Sequence, residues 1–344
     1  MKGENTQQQA INDTPVRKVA VLAVPQVHTS ALFGGFDILK TAGLGFDARS
    51  RETFGRPLIK TYITAATPEV TGWHGVEVRR QKTFAELGDV DGIYIPAIGD
   101  TFETLETPDP ETLAWISEQY AKGATIAAAC SGVFLPATAG LMDGGSATAH
   151  WAFSREFESR FPKIRLEPNR ALVFSGDEHR IITSGGGSLW NDLVLYLIAK
   201  LVGQEAAVQS SKLYLVDWGR DSQLPYACLE ERSQHSDAAI RIAQNWISEN
   251  FQEADVLAQA RSESGLPQRT FERRFKSATS ISPNRYIQQL RIEQAKALFE
   301  QTEKSLEDVA EAVGYIDPTS FRRLFSRLVG TSPSQYRKRF GQKW

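Results

Sequence analysis

The chain has 344 residues, 41% apolar, 23% charged and 10% aromatic, with a net charge of −2. That is enough apolar material for two cores, which excludes a wholly disordered chain, and no run reaches the ~18 uncharged apolar residues that a membrane-spanning helix needs. The opening MKGENTQQQAINDTP is too polar for a secretory signal and reads as a frayed tail. Two cysteines, Cys130 and Cys228, cannot build a disulfide framework, and ligand clusters for a metal are absent from the sequence. A cytoplasmic protein without cofactor or membrane contact is expected.

The small net charge hides a division. Residues 1–235 carry 22 basic against 28 acidic side chains, and residues 236–344 carry 17 against 13. An acidic body joined to a basic tail points to nucleic acid as the tail's partner.

In chain order, VAVLAV (19–24) reads as a buried strand and LFGGFDILKTAG (32–43) as a helix closed by glycine. DGIYIPAI (91–98) is a second apolar strand, and PDPETLAWISEQYAKG (108–123) is a helix with proline and acids in its first turn. TIAAAC (125–130) follows as a third buried strand and runs directly into helical GVFLPATAGLM. RIITSGG (180–186) then precedes the helix SLWNDLVLYLIAKLVG. Strands alternating with helices imply a parallel sheet covered on both faces, an α/β domain expected over 16–212 after a disordered tail at 1–15. The rhythm stops near Leu215, where polar, proline-bearing sequence suits a linker over 213–235. Residues 236–344 read as an all-α domain.

That tail contains a repeat. FERRFKSATSISPNRY (271–286) and FRRLFSRLVGTSPSQY (321–336) align without a gap at an offset of 50 residues. Phe271 and Phe275 match Phe321 and Phe325, four apart on one helix face, and Tyr286 matches Tyr336. Basic residues fill the other turns: Arg273, Arg274 and Lys276 in the first copy, Arg322, Arg323 and Arg327 in the second. Each basic helix follows an amphipathic segment and a short turn, which describes two helix-turn-helix units. Cations beside both core stripes suit phosphate neutralisation and guanine edges.

Residues 257–340, with VAEAVGYIDPTSFRRLFSRLVGTSPSQYRKRF at their end, resemble the AraC/XylS DNA-binding domain, and RIEQAKALFE (291–300) resembles its long connecting helix. The resemblance implies two recognition helices in successive major grooves. Base-reading candidates are Arg269, Glu272 and Arg273 in the first, and Thr319, Ser320, Arg322 and Arg323 in the second, with Lys276 and Arg327 beside them. One departure is Ser280, where the second copy has Gly330. A left-handed helix end there costs serine up to about 1–2 kcal/mol.

Cys130 ends a strand and precedes Ser131-Gly132 at a helix start, the logic of a nucleophile elbow in which the helix's positive end favours a thiolate. The plain alternative is a small buried filler. CSGVFLPATAGLMDGGSATAHW (130–151), with VAVLAVP, DGIYIP and ITSGG, resembles the ThiJ/PfpI class I glutamine amidotransferase-like superfamily, its GlxA-type regulators in particular. The fold implied is flavodoxin-like. Catalytic members pair the cysteine with an acid after the first strand; here Ser30 and Ala31 stand in that place and Asp37 lies two turns on. PAIGD replaces the family's twin-glycine stretch, leaving Gly99 at the pocket wall.

These departures imply a sensor with a catalytically degenerate pocket and no catalytic residues. Its ligand candidates are Cys130, Ser131, His150, His28 and Gly99. His150 either orients a ligand or bonds backbone in the core, and His28 either walls the pocket or sits solvated. His74 and His179 are expected to be exposed, Asp192 to cap or pair locally, and Trp151 and Trp190 to pack nearby. The reading is a DNA-binding transcription regulator, an activator responding to a small metabolite such as an amino acid or quaternary amine. Promoter DNA, RNA polymerase and a second copy in a homodimer are its expected partners. The alternatives are a cysteine-dependent hydrolase, hydratase or deglycase carrying a DNA-binding tail, and a Cys130 redox switch.

Overall fold

A computed structural model describes residues 14–47, 52–99, 107–227 and 235–342, leaving Cys228 outside the described residues. The chain divides into two compact units after Gln223.

In the first unit six strands form one sheet: β1 (Arg17–Leu22), β2 (Ile59–Thr64), β3 (Gly92–Ile95), β4 (Thr125–Ala129), β5 (Leu172–Ser175) and β6 (Ile181–Ser184). Their spatial order is β5-β6-β4-β3-β1-β2. All pair in parallel except β5, which runs antiparallel to β6 at the edge. Alternate residues of β1 serve opposite layers, as the two-residue period requires. Val19 and Val21 join the core that includes Leu32, Leu193 and Leu197, while Ala20 and Leu22 join the one that includes Trp115, Phe134 and Phe157. Helices α1 (Thr29–Lys40), α3 (Trp190–Val202) and α4 (Gln204–Tyr214) supply the first layer, and α2 (Pro110–Ala121) with three shorter helices, Phe84–Leu87, Phe134–Thr138 and Ser154–Arg160, supplies the second. The mostly parallel, two-sided α/β sheet expected from the sequence is present.

Residues 216–223, expected within a linker, are held by this unit. Asp192 on α3 has no solvent exposure, and its carboxylate accepts from the Gly219 and Arg220 N–H groups at 2.7 and 3.1 Å. Arg220 closes an ion pair on it through Nε at 2.8 Å and through a second guanidinium nitrogen. Asp192 therefore pairs 28 residues away in sequence, not locally as expected, because a buried carboxylate must find both charge and donors. Beyond Arg220, Ala171 N–H donates to the Asp221 backbone carbonyl, and Gln223 Nε2 donates to the carbonyls of Ala149 and Pro168 at 2.8 and 2.7 Å.

The second unit, among its described residues, has seven α-helices: α5 (Ala238–Asn250), α6 (Val256–Glu263), α7 (Gln268–Thr279), α8 (Pro283–Gln301), α9 (Leu306–Ala312), α10 (Pro318–Val329) and α11 (Pro333–Phe340). They enclose two small cores. One gathers Ile240, Ile247, Phe271, Phe275 and Ile287; the other gathers Ile292, Phe299, Phe321, Phe325 and Tyr336. Helix α8 gives its first turns to one core and its remainder to the other, so it joins two helix-turn-helix units. The repeat is retained in the ring contacts. Phe275 meets Tyr286 edge-on with centroids 5.5 Å apart, and Phe325 meets Tyr336 edge-on at 5.6 Å.

Asp192→Ala leaves Arg220 and two backbone N–H groups without their acceptor. Because the guanidinium keeps 23% exposure, the expected loss lies near the low end for a broken buried pair, about 3 kcal/mol. Urea denaturation followed by tryptophan fluorescence measures it; a loss below about 1 kcal/mol contradicts the assignment.

Candidate functional site

Two regions carry the residues singled out in the sequence. In the second unit, Arg269, Glu272, Arg273 and Lys276 on α7 are all exposed, as are Thr319, Ser320, Arg322, Arg323 and Arg327 on α10. The face opposite the phenylalanine stripe of each helix is therefore a polar, mainly cationic surface. Some residues of these helices also have partners within the fold. Arg274 forms two hydrogen bonds to Asp237, at 2.9 and 2.7 Å, which ties α7 to the N-cap of α5. That pair holds the Asp237 carboxyl below its usual range. The Ser320 hydroxyl donates to Asp317 at 2.6 Å inside the N-cap of α10.

Helices α7 and α10 end alike but are built unequally. Ser280 and Gly330 both adopt the left-handed conformation, with φ 65° and 75°. Asp317 caps α10, accepting from Thr319 and Ser320 N–H, whereas Pro267 at the N-cap of α7 provides no side-chain acceptor. Hydrogen bonds from Ser320 and the backbone hold the Asp317 carboxyl below its usual range.

In the first unit the chain turns sharply at the end of β4. Cys130 has φ 57°, a left-handed backbone that places it at an elbow between strand and helical turn. A Cβ at Gly132 would collide with the carbonyls of Pro96 and Ile95, so only glycine lets the elbow approach the end of β3 this closely. Ser131 fixes that approach. Its hydroxyl donates to Ile98 O at 2.6 Å and accepts from Ile98 N at 2.9 Å, so this ligand candidate is occupied in holding the loop that leads to Gly99. Gly99 N–H in turn donates to Gln26 O at 2.7 Å.

Cys130 is half-buried. Burial pushes its thiol up from the usual 9.0, and hydrogen bonds from Ser131 and the Gly187 backbone only partly oppose this. Burial thus works against the thiolate expected at the start of the helical turn. No carboxylate takes part in these interactions. Of the two residues expected in the place of the acid, Ser30 is exposed and Ala31 is buried, its carbonyl accepting from the Tyr94 hydroxyl at 3.0 Å. Asp37 is exposed on α1.

His150 is brought to the same corner by the glycine run after β6. A Cβ at Gly186 would overlap the imidazole, and the next residue, Gly187, is the one that hydrogen-bonds Cys130. His150 Nδ1 accepts from Ala152 N–H at 3.1 Å. Burial lowers its pKa from 6.5, which keeps the ring neutral and puts its one proton on Nε2 as a donor. His28 lies apart: it stacks on Trp73 with centroids 4.2 Å apart and ring planes 12° from parallel, and Trp73 also packs on His74. His74 is thus a stacking residue as well as an exposed one. Gln223 was not singled out in the sequence, yet its Oε1 accepts from Gly186 N–H at 3.1 Å and its carboxamide is buried. The GGG run at 185–187 was the available signal, since it marks a close approach of backbone to another group. Among the described residues no group of three or more His, Cys, Asp or Glu is placed to hold a metal, and no helix is long and apolar enough to cross a membrane.

The profile of the DJ-1/PfpI family matches residues 17–194, and that of a helix-turn-helix domain matches residues 262–339. The chain is similar to the HTH-type transcriptional regulator CdhR of Pseudomonas aeruginosa, 26% identical over 320 residues that span 89% of this chain and 90% of the relative. It is also similar to the HTH-type transcriptional regulator GlxA of Rhizobium meliloti, 26% identical over 221 residues, 64% of this chain and 67% of that one. Among solved structures, a ThiJ/PfpI family protein from Pseudomonas syringae resembles it with a TM-score of 0.49 and 22% identity, covering 74% of this chain and 95% of that chain.

Two measurements check this geometry. In a Cys228→Ser background, Cys130 alkylation should be slow at pH 7, with a titration midpoint above the usual 9.0; a midpoint below about 8 contradicts a buried neutral thiol. The folded state binds a proton at His150 less readily than the unfolded chain does. Stability should therefore fall as pH drops below 6.5, and His150→Gln, which can still accept from Ala152, should reduce that slope.

Proposed function

The chain belongs to the DJ-1/PfpI family, ends in an AraC-type helix-turn-helix domain and is a DNA-binding transcription regulator, and from that premise we propose that a small metabolite binding at the Cys130–His150 corner controls it. The observation that carries the DNA reading is the pairing, on both α7 and α10, of a buried phenylalanine stripe with an exposed cationic face. Two such helices joined by α8 suit successive major grooves, with Arg273 and Arg323 reading base edges and Lys276 and Arg327 neutralising phosphates. Glu272, Arg269, Thr319 and Arg322 border the same faces, while Ser320 serves mainly as a cap.

In the first unit we assign sensing in preference to turnover. A neutral thiol with no carboxylate among its interactions with the described residues lacks, among them, the proton acceptor that addition chemistry needs. The corner instead offers a ligand a polarizable sulfur and the His150 Nε2–H donor, which suits a carboxylate or amide oxygen. Coupling follows the chain: Gln223 bonds Gly186 beside His150, and the next residue, Leu224, begins the second unit. A ligand that favours one arrangement of residues 216–223 has a covalent route to the DNA-binding unit. Action on a promoter places the protein in the cytoplasm, with RNA polymerase as a partner, and a homodimer would present paired tails to paired half-sites.

Arg273→Ala and Arg323→Ala should each weaken binding to a selected operator by about 1–3 kcal/mol and relax specificity at one position, while Lys276→Ala should weaken all sequences and lower the salt dependence. Unchanged binding in both arginine variants overturns the choice of helices. For the sensor, a metabolite screen by thermal shift should yield a ligand whose stabilisation is lost in His150→Ala; retention there places the effector elsewhere.

A further inference from the structure

A cavity in the first unit is lined by neither Cys130 nor His150. It encloses about 340 Å³ and lies at the carboxyl ends of three strands, with Ala23 and Val24 after β1, Ala66 after β2 and Ile98 after β3 among its walls. Strand β1 has β2 on one side and β3 on the other, so the direction of winding reverses there. The crevice outside the strand ends at such a reversal is where open α/β sheets hold ligands. Leu135, from the short helix after the cysteine elbow, completes the apolar wall.

The polar groups at this cavity select a charge. Asp109 and Thr112 line it, and no lysine, arginine or histidine does among the described residues. Asp109 Oδ2 accepts from the Thr112 N–H and hydroxyl at 2.8 and 2.7 Å, fixing the carboxylate at the start of α2 while its other oxygen, Oδ1, is not engaged in those bonds. The described lining is also without aromatic rings, so nothing there builds the cage that quaternary ammonium groups prefer. A volume of this size lies at the small end of ligand sites and holds the equivalent of about eleven waters.

We infer that this switch-point cavity binds a small organic cation with a hydrocarbon body and a primary ammonium head, the body against Val24, Ile98 and Leu135 and the head on Asp109 Oδ1. This goes beyond the effector corner proposed above and does not depend on it.

Calorimetry and thermal shift on the full chain, with n-hexylammonium, n-hexyltrimethylammonium, hexanoate and 1-hexanol as probes, test the inference. Hexylammonium should bind and raise the melting temperature, the trimethyl analogue and hexanol more weakly, and hexanoate least. Asp109→Asn keeps a residue able to cap α2 and should weaken hexylammonium about threefold, the scale of an exposed ion pair, without changing hexanol. Ala66→Phe fills the cavity and should abolish binding of every probe; if that variant does not fold, the Asp109→Asn comparison decides. Cys130→Ala and His150→Ala should leave hexylammonium binding unchanged. Equal binding of hexanoate, or an unaltered hexylammonium affinity in Asp109→Asn, overturns the inference, and loss of binding in Cys130→Ala assigns the probe to the effector corner instead.

Discussion

The Asp192 carboxylate sits on α3 without access to water, and the site geometry follows from how that charge is met. No donor within its own helix suffices, so the chain after α4 folds back and supplies two backbone N–H groups and a guanidinium. This places Gln223 against Gly186, and Gly186 has no side chain, which leaves room for the His150 ring. Gly187 then reaches Cys130. A buried charge is costly in itself and gains its value from the arrangement it enforces. Here that arrangement runs from a helix interior to the glycine turn that has His150 against Gly186 and Cys130 hydrogen-bonded to Gly187.

Strands covered on both faces were readable because burial leaves few polar residues to interrupt them: VAVL, GIYI and IAAA carry none that is charged, and only the Tyr94 hydroxyl is polar. Edge strands were not. In β2, Lys60 and Thr61 interrupt the apolar residues, and in β5 the run of Leu172, Val173 and Phe174 is only three residues long and exposes its phenylalanine, so neither stands out as a buried strand. The elbow at Cys130 was legible from a small-residue pair after a buried strand. Its chemistry was not, since the thiol's ionisation depends on how much water the fold removes, and sequence spacing does not record that. Ser131 shows the same gap: a hydroxyl beside a cysteine suggests a ligand contact, and only the approach of Ile98 reveals that both of its hydrogen-bonding roles are taken.

The tail was more transparent because its information is local. Phenylalanines four apart define a buried stripe, and the remaining positions must face away from it. What locality hides is long-range pairing. Arg274 looks like its neighbour Arg273, yet Asp237, 37 residues earlier, engages it and leaves Arg273 exposed. The partner of Asp192 and the role of Gln223 were hidden for the same reason, since their contacts lie far along the chain.

The unequal ends of α7 and α10 set an order of fraying. Ser280 holds a backbone shape that glycine adopts without penalty at position 330, and α7 begins without the carboxylate clasp that Asp317 gives its counterpart. Thermal agitation therefore unwinds the terminal turns of the earlier helix first. Of the two duplicated hands, one grips with a stiff palm and the other with looser fingertips, an asymmetry that their matching phenylalanines conceal.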